Sequence, residues 1–550
     1  MFIADLSGDN VIADDHQNNV ITDPRSVLIK RALISVSNKS GVEKLASALR
    51  ARGVELIATQ GTSDFLKDKG IECDEISDFT GLPELMEGRV KTLHPKIHGG
   101  ILAKRDNDAH RQALEEHDIF PIDLVVVNLY PFVDFVRENE DEDTCLDNID
   151  IGGVAMIRSA AKNYQHVVVA TDPKDYQLIL NDMDVHNGAV TQSLRKRLAA
   201  NAFSLTATYD ANISSWFMGH NKGDDDFPAR MSLSGSLDRI LQYGENPHQK
   251  AALYNTGDHA FGIVNARQIQ GTPLSYNAVL DGDAGLQIVA DYPEPCVAII
   301  KHTNPCGVAC ADSLEDAYLR AYASDKDSAF GGCVVLNRRV DVKLARIIMK
   351  KFTVLIVAPS FEHDALTYLS EFEKLRVIAT GELPEVKAPF WEKRSLSGGF
   401  LVQNHDILQV SADDIEIVTE RGPTERELQD LLFAFNVSRY VTSNAIVYAK
   451  DMATVAISGG QASRIDAARS AIYKANLMGE ALEEPQNLLK NSVVASDGFF
   501  PFADSLIAAA DAGVTAVIQP GGSVRDEEVI AAADDRAIAM VFTKQRHFRH

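Results

Sequence analysis

Short apolar runs that end in turns rich in Ser, Thr, Gly or Asn and pass directly into amphipathic stretches constrain this chain more than any other feature. Ala32-Leu33-Ile34-Ser35-Val36 reads as a strand and Ser37-Asn38-Lys39-Ser40-Gly41 as a turn with a helix cap. Val42, Leu45, Ala46 and Leu49 then form one face of a helix that Gly53 stops. Residues 54–58 are the next strand, and Thr59-Gln60-Gly61-Thr62-Ser63 repeats the strand-to-helix turn. Residues 123–130 are almost wholly apolar, as a central parallel strand covered on both faces must be, and they end at Pro131. This succession predicts an α/β fold with a doubly wound parallel sheet, whose ligands sit at the carboxyl ends of the strands.

At 550 residues the chain is too long for a single hydrophobic core. Residues 1–30 are polar, rich in Asp and Asn and aperiodic up to Pro24, and they read as a disordered extension. A first domain spans 31–218, a charged linker bearing Gly and Pro follows at 219–228, and a second domain fills 229–550. In that domain an apolar strand leads to KHTNPCG (301–307) and then SAFGG (328–332). It is faintly echoed by Ser443-Asn444-Ala445-Ile446-Val447, then Ser458-Gly459-Gly460-Gln461 and Ser496-Asp497-Gly498-Phe499-Phe500-Pro501. The echo predicts two related αβα halves, 229–390 and 391–550, with a site between them.

Lys and Arg number 54 against 78 Asp and Glu, a net charge of −24, which disfavours a nucleic-acid or anionic-membrane surface. An anionic ligand must then be held by local cations and backbone N–H groups, which points to small phosphorylated molecules rather than polymers. The six cysteines, 73, 145, 296, 306, 310 and 333, lack the spacing of a disulfide framework and read as reduced thiols of a cytoplasmic protein. Cys306, Cys310 and Cys333 hint at zinc, but no second ligand pair matches them, and no metal is expected. No signal peptide opens the chain and no run of eighteen apolar residues occurs, so a soluble protein is expected.

Three clusters carry candidate chemistry. Ser35, Ser37, Lys39, Gly61 and Thr62 lie at the first two strand-to-helix turns, where free N–H groups suit an anion, although each alone fits a helix cap equally well. Arg89-Val90-Lys91-Thr92-Leu93-His94-Pro95 can cradle a phosphate, and Arg158 and Lys162 lie four apart on a helix that follows Asp150-Ile151-Gly152-Gly153. There is no G-x-G-x-x-G or Walker sequence. In the second domain, Lys301 and His302 are neighbours that can serve one pocket only if their strand ends there, and Asn304-Pro305 with Gly307 supply the ending. The pair suits acyl-type transfer, but a snorkelling Lys beside a satisfied His explains it as well.

RVKTLHPKIHGGILA (89–103), NLYPF (128–132), IDIGGVAMIRSAAKNY (149–164), YGENPHQ (243–249), KHTNPCGVA (301–309), SNAIVYAKD (443–451), GGQASR (459–464), SDGFFPFAD (496–504), IQPGGSVRDEEVI (518–530) and RHFRH (546–550) decide between these readings. Together with SAFGG they resemble, in order and from about residue 31 to the C-terminus, the bifunctional phosphoribosylaminoimidazolecarboxamide (AICAR) formyltransferase/IMP cyclohydrolase family. The resemblance implies a methylglyoxal-synthase-like first domain that closes formyl-AICAR to IMP, and a second domain of two cytidine-deaminase-like halves that transfers formyl from 10-formyltetrahydrofolate to AICAR. It also implies a homodimer and no deaminase zinc, in keeping with the missing H-x-E and P-C-x-x-C constellation.

For formyl transfer the resemblance assigns His302 as general base, Lys301 as its cationic assistant and Asn444 as orienting group. Arg464 and Arg546 grip the phosphate, Gln242, Tyr243 and Gly331 line the nucleotide pocket, and Asp497, Phe499 and Phe500 line the folate pocket. For cyclisation it assigns Lys162 to proton transfer with Lys91, Tyr130 and Asp150 around it. Ser35, Ser37, Asn38, Lys39, Thr59, Gln60, Gly61, Thr62, Arg89, Val90, Lys91, Thr92, Val127, Asn128, Asp150 and Ile151 contact the nucleotide. The chain departs from the family pattern at Gln242, where an Arg is usual, at Val354, where an acidic contact is frequent, and at Gln60, Thr442 and Ser458. Losing a charge-assisted bond at 242 costs about 1.5–3 kcal/mol of binding. The alternatives are therefore an active cyclohydrolase with an impaired transferase, a catalytically idle nucleotide-binding protein, and a zinc deaminase.

Overall fold

Each strand-to-helix turn read above sits where a parallel strand gives way to a helix. A computed structural model describes residues 25–138, 140–220, 227–257, 261–384, 390–482 and 486–550. Residues 1–24 of the expected extension and 221–226 of the expected linker lie outside them. Val27–Leu28 pairs with Ala189–Val190 and Ile29 is buried, so the last residues assigned to the extension pack with the first unit. The chain divides into two units, with the boundary between Gly235 and Ser236.

In the first unit five parallel strands lie in the order Asp74–Glu75, Glu55–Ala58, Arg31–Val36, Leu124–Asn128, Val168–Ala170. Val42–Ala51 buries Val42, Leu45, Ala46 and Leu49, the face its spacing predicts. The strand order reverses direction between Arg31–Val36 and Leu124–Asn128, which opens the crevice where doubly wound sheets bind ligands.

The second unit is built on one twelve-stranded sheet. One half contributes, from the edge inward, Arg267–Gln270, Arg376–Ala379, Leu355–Ala358, Cys333–Leu336, Cys296–Lys301 and Asn304–Cys310. The other half contributes, from the centre outward, Ala453–Ser458, Ile446–Lys450, Val493–Ser496, Ala516–Gln519, Ala539–Phe542 and Glu416–Ile417. The second list is the mirror order of the first, so the halves are related by a pseudo-two-fold axis at the sheet centre. There Ala309 pairs with Ala453, and the Thr454 hydroxyl accepts from Val308 N (3.0 Å), donates towards Val308 O (3.2 Å) and meets Ser324 Oγ (3.1 Å).

The structure corrects the reading of KHTNPCG. The strand ends at Lys301, but Asn304–Cys310 is itself a strand, antiparallel to the first, and the turn is His302-Thr303. Both turn residues have positive φ, 54° and 63°, as a two-residue turn matching the twist of its strands requires. Pro305 is tolerated because the register shifts between Ile299 and Ile300 opposite it, a position where its missing N–H costs no ladder bond. The echo is also re-registered: Lys301-His302-Thr303 corresponds to Lys450-Asp451-Met452, the second hairpin turn, with φ of 54° and 58° at Asp451 and Met452.

Gly307 lies under helix Leu314–Ser324, and a Cβ there would collide with the carbonyl oxygen of Ala321. Gly307→Ala is expected to cost about 1–3 kcal/mol of stability, read as a lower urea midpoint; an unchanged midpoint would show that the helix can move away.

Candidate active sites

In the first unit the Ser, Thr and Asn side chains of the turns knit the strand ends together. The Asn128 carboxamide accepts the N–H groups of Ser37 (2.6 Å) and Asn38 (2.9 Å) and donates to Asn38 O (2.9 Å). Thr62 Oγ1 accepts from Val36 N at 3.2 Å, and Thr59 Oγ1 donates to Ser35 Oγ at 3.2 Å. Lys39 reaches over this edge, donating to Val36 O and lying 3.4 Å from Thr62 Oγ1. Burial first, and the charge of Lys91 second, hold its ammonium below the usual lysine range. Gln60 and Gly61, opening helix Gln60–Asp68, are exposed.

Asp150 faces the same Lys91. Burial pushes its carboxyl up from the ordinary range, against the Gly153 N–H (2.7 Å) and the Lys91 charge. The two glycines that follow are explained by contact: a Cβ on Gly152 would run into Thr92 Oγ1, and one on Gly153 into the Asp150 carboxylate. Tyr209, which was not anticipated, donates its hydroxyl to Asn148 O (3.3 Å) and accepts the Asp150 N–H (2.9 Å). His98 was also not anticipated; it lines a groove of about 470 Å³ with Asp150, Ile151 and Ser159, and its Nδ1 lies 3.1 Å from Ser159 Oγ. It lies in RVKTLHPKIHGGILA, but nothing in a single sequence separates this His from a core one.

Other candidates are placed differently. Thr92 is buried, Tyr130 and Ile151 are exposed, and Val127 is buried in the sheet, leaving only its main chain at the edge. Val90 pairs through its backbone with Leu85, and the exposed Arg89 is ion-paired with Asp147. Lys162 stands apart from Asp150 along its helix. It ends helix Gly152–Lys162, whose first turn holds Asp150 and Thr92, and ten residues of helix place it roughly 15 Å away along the axis, exposed. Arg158, four residues earlier, lines the groove with Asp150 and lies 5.4 Å from the Phe203 ring.

In the second unit Lys301, His302, Asn304, Pro305 and Cys306 meet Val441, Ile457 and Gly459 of the other half around a cleft of about 260 Å³, with Asp325, Ser328 and Lys474 completing its walls. Asn304, unassigned from the sequence, ties the halves together here: its Oδ1 accepts from Thr442 N (2.9 Å) and its Nδ2 donates to His302 O (3.1 Å). Lys301 Nζ donates to Phe330 O at 3.0 Å, and Lys474 pairs with Asp325 at 3.0 Å. Burial pushes the Cys306 thiol up to about 12, so it is no nucleophile at neutral pH.

Asn444 is oriented beside this cleft by Arg464. Arg464 Nη2 donates to Asn444 Oδ1 (2.9 Å), and Asn444 Nδ2 donates to Gln461 O (2.9 Å) and Ala462 O (3.2 Å). The rest of the Arg464 fork is committed to Ser496 Oγ (2.7 Å) and to Asp497, which also accepts from Ser443 Oγ (2.6 Å). Arg464 is 7% exposed and Asp497 fully buried, so the fork expected on a phosphate is closed on a carboxylate instead. Phe500 is buried, whereas the Phe499 ring is exposed. Arg546 is exposed, with its guanidinium 4.7 Å from the Phe548 ring. Gln242, Tyr243, Gly331 and Arg546 are not among the cleft walls. Tyr243 faces Arg376, Gly331 N donates to Phe352 O (2.8 Å), and the exposed Gln242 contributes no charge. Val354 packs against the core, which accounts for an apolar side chain there.

A family model described as the AICARFT/IMPCHase bienzyme matches residues 160–474. The chain belongs to that family. An MGS-like domain model matches residues 41–155, the doubly wound sheet of the first unit. The bifunctional purine biosynthesis protein PurH of Roseobacter denitrificans is 50% identical over 525 residues, covering 95% of this chain and 99% of that protein. The PurH of Rhodospirillum rubrum is 51% identical over 525 residues, covering 96% and 99%. A solved structure described as the crystal structure of ForH aligns at 37% identity with a TM-score of 0.31, covering 34% of this chain and 99% of that one. The bienzyme acts in the last two steps of IMP synthesis, formyl transfer to AICAR and dehydrative closure of the product, on small-molecule substrates. Among the described residues no helix is long and apolar enough to cross a membrane.

Replacing Arg464 by Met leaves the Asp497 carboxylate buried without its cation. A loss of about 3–5 kcal/mol in urea unfolding is expected, with formyl transfer lost and cyclisation retained; wild-type stability would mean that Asp497 finds another partner.

Proposed function

We propose that the second unit transfers formyl from 10-formyltetrahydrofolate with His302 as general base, and that the first unit closes the ring with Lys91 and Asp150. The observation that carries the first part is the meeting of Lys301 and His302 with Val441, Ile457 and Gly459 of the other half around one cleft, beside which the Asn304 carboxamide accepts from Thr442 N. The amine of AICAR is a poor nucleophile because its lone pair is drawn towards the neighbouring carboxamide. As it bonds to the formyl carbon it must lose a proton; His302 takes that proton, which returns to the folate nitrogen as its bond to the formyl carbon breaks. The Lys301 ammonium lowers the energy of the oxyanion formed on the way, and the Asn444 amide, fixed by Arg464, holds the reacting groups in register. Cys306, with its thiol held neutral, takes no part. The exposed Phe499 ring offers a flat apolar surface to the folate ring system.

In cyclisation the carboxamide nitrogen attacks the formyl carbonyl and water leaves, so little beyond positioning and proton movement is needed. The ammoniums of Lys39 and Lys91 and the open first turn of Gln60–Asp68 suit the nucleotide phosphate. The Asp150 carboxyl, raised by burial and facing Lys91, is placed to exchange a proton with the carboxamide. The protein works as a cytoplasmic homodimer in this reading. All six cysteines are unpaired, and the hairpin Trp391–Leu396/Gly399–Asn404 exposes Leu396, Phe400 and Leu401, an apolar surface that a second copy would cover.

Separate assays of the two half-reactions test the assignment. His302→Ala should lower formyl transfer by about 10²–10⁴-fold and leave cyclisation of formyl-AICAR intact, whereas Asp150→Asn should do the reverse; retained transfer in the first variant rules His302 out as the base. Gln242→Arg should restore a charge-assisted phosphate contact and lower the transferase KM for AICAR by at least about tenfold. An unchanged KM would mean that another cation already fills this role.

A further inference from the structure

The two hairpins of the second unit are fastened by the same device, and in one of them the device holds His302. Asp281 is the sixth residue of helix Tyr276–Val289, and Asp430 is the sixth residue of helix Glu425–Ser438. Each helix precedes its hairpin in the chain. Asp430 accepts the N–H groups of both turn residues of its hairpin, Asp451 (2.9 Å) and Met452 (2.7 Å). Asp281 accepts the N–H of Thr303 at 2.7 Å, and the His302 N–H also faces its carboxylate. The lysines ahead of the turns match as well. Lys301 Nζ donates to Phe330 O (3.0 Å), three residues before strand Cys333–Leu336, and Lys450 Nζ donates to Lys490 O (3.2 Å), three residues before strand Val493–Ser496.

All four turn residues are non-glycine and left-handed, a conformation that side chains with a Cβ adopt only when the surroundings hold them there. At the second hairpin the hold is supplemented, because Asp451 also forms an ion pair with Arg426 (2.6 Å) and its carbonyl accepts from Arg320. At the first, besides the carboxylate, the His302 carbonyl accepts from Asn304 Nδ2. We infer that Asp281 is a positioning residue for formyl transfer, clamping the left-handed His302–Thr303 turn so that the imidazole stays at the cleft. This rests on the reading of His302 as general base. Asp281 holds the main chain of the turn, and its carboxylate also bears on the charge of the His302 imidazole; its loss should therefore disturb the step that uses His302 more than the binding of substrate.

Asp281→Ala removes both acceptors; Asp281→Asn keeps one, its carbonyl oxygen. In the full-length enzyme Asp281→Ala is expected to lower kcat of formyl transfer by about 10–100-fold, with the AICAR KM within about threefold of wild type and cyclisation unchanged. Asp281→Asn should recover most of that loss. Asp430→Ala, which opens the equivalent turn with no base on it, should leave transferase kcat within about threefold at a temperature where the variant is folded by circular dichroism. Wild-type kcat in Asp281→Ala overturns the inference, as does a loss carried by KM alone, no recovery in Asp281→Asn, or an equal kcat loss in Asp430→Ala. If Asp281→Ala does not fold, the kcat of Asp281→Asn decides, through a drop smaller than that of His302→Ala with KM kept. Retained transfer in His302→Ala would instead remove the reading on which the inference stands.

Discussion

An antiparallel seam joins the two halves of the second unit, and the geometry of the cleft that both halves line depends on it. Ala309 faces Ala453 across the sheet centre, and the Thr454 hydroxyl satisfies both the N–H and the C=O of Val308. The strands share the single residue pair Ala309–Ala453, and the hydroxyl supplies hydrogen bonds to the Val308 main chain beside it. Through this seam two sheets of six strands become one, and the hairpin bearing His302 comes to rest beside the segment bearing Asn444. The Arg439–Asp291 pair, buried with the Tyr440 hydroxyl 2.5 Å from the same carboxylate, also fastens the halves.

Buried charge recurs where side chains must point in one direction. Arg464 and Asp497 are withdrawn from water at a desolvation cost comparable with their attraction, so the pair adds little net stability. What it supplies is orientation. The guanidinium also donates from Nη2 to Asn444 Oδ1, and that bond decides which end of the amide faces which partner. In the first unit the same work is done without ions, by Asn128 reaching across to the main chain of Ser37 and Asn38.

Much of this was legible in the residues themselves. The helix face Val42, Leu45, Ala46 and Leu49, the all-apolar central strand and the strand-to-helix turns were given by periodicity, because a buried parallel sheet leaves no freedom in what its strands may contain. The turn at His302-Thr303 was not, because a left-handed pair is normally announced by Gly or Asn, and here a carboxylate twenty-one residues upstream replaces that local preference. Arg464 reads from the sequence as a fork free for an anion, since a sequence shows the guanidinium but not the buried Asp497 that it pairs with. Lys162 was drawn into the site by its motif, and only the length of its helix shows how far it stands from Asp150. Asn304 and Tyr209 could not have been found from spacing, because each acts on a main-chain group whose position is set by a distant element.

A turn gripped by its amides is indifferent to the side chains it displays. The two hairpins illustrate this: the same helix position, the same pair of N–H groups and the same preceding lysine present an imidazole in one copy and a carboxylate in the other. After a duplication such a turn is a socket, in which the displayed group can be exchanged while the frame around it persists. One copy could then specialise for proton transfer while its twin drifted into an ion pair, and neither change required the sheet to be rebuilt.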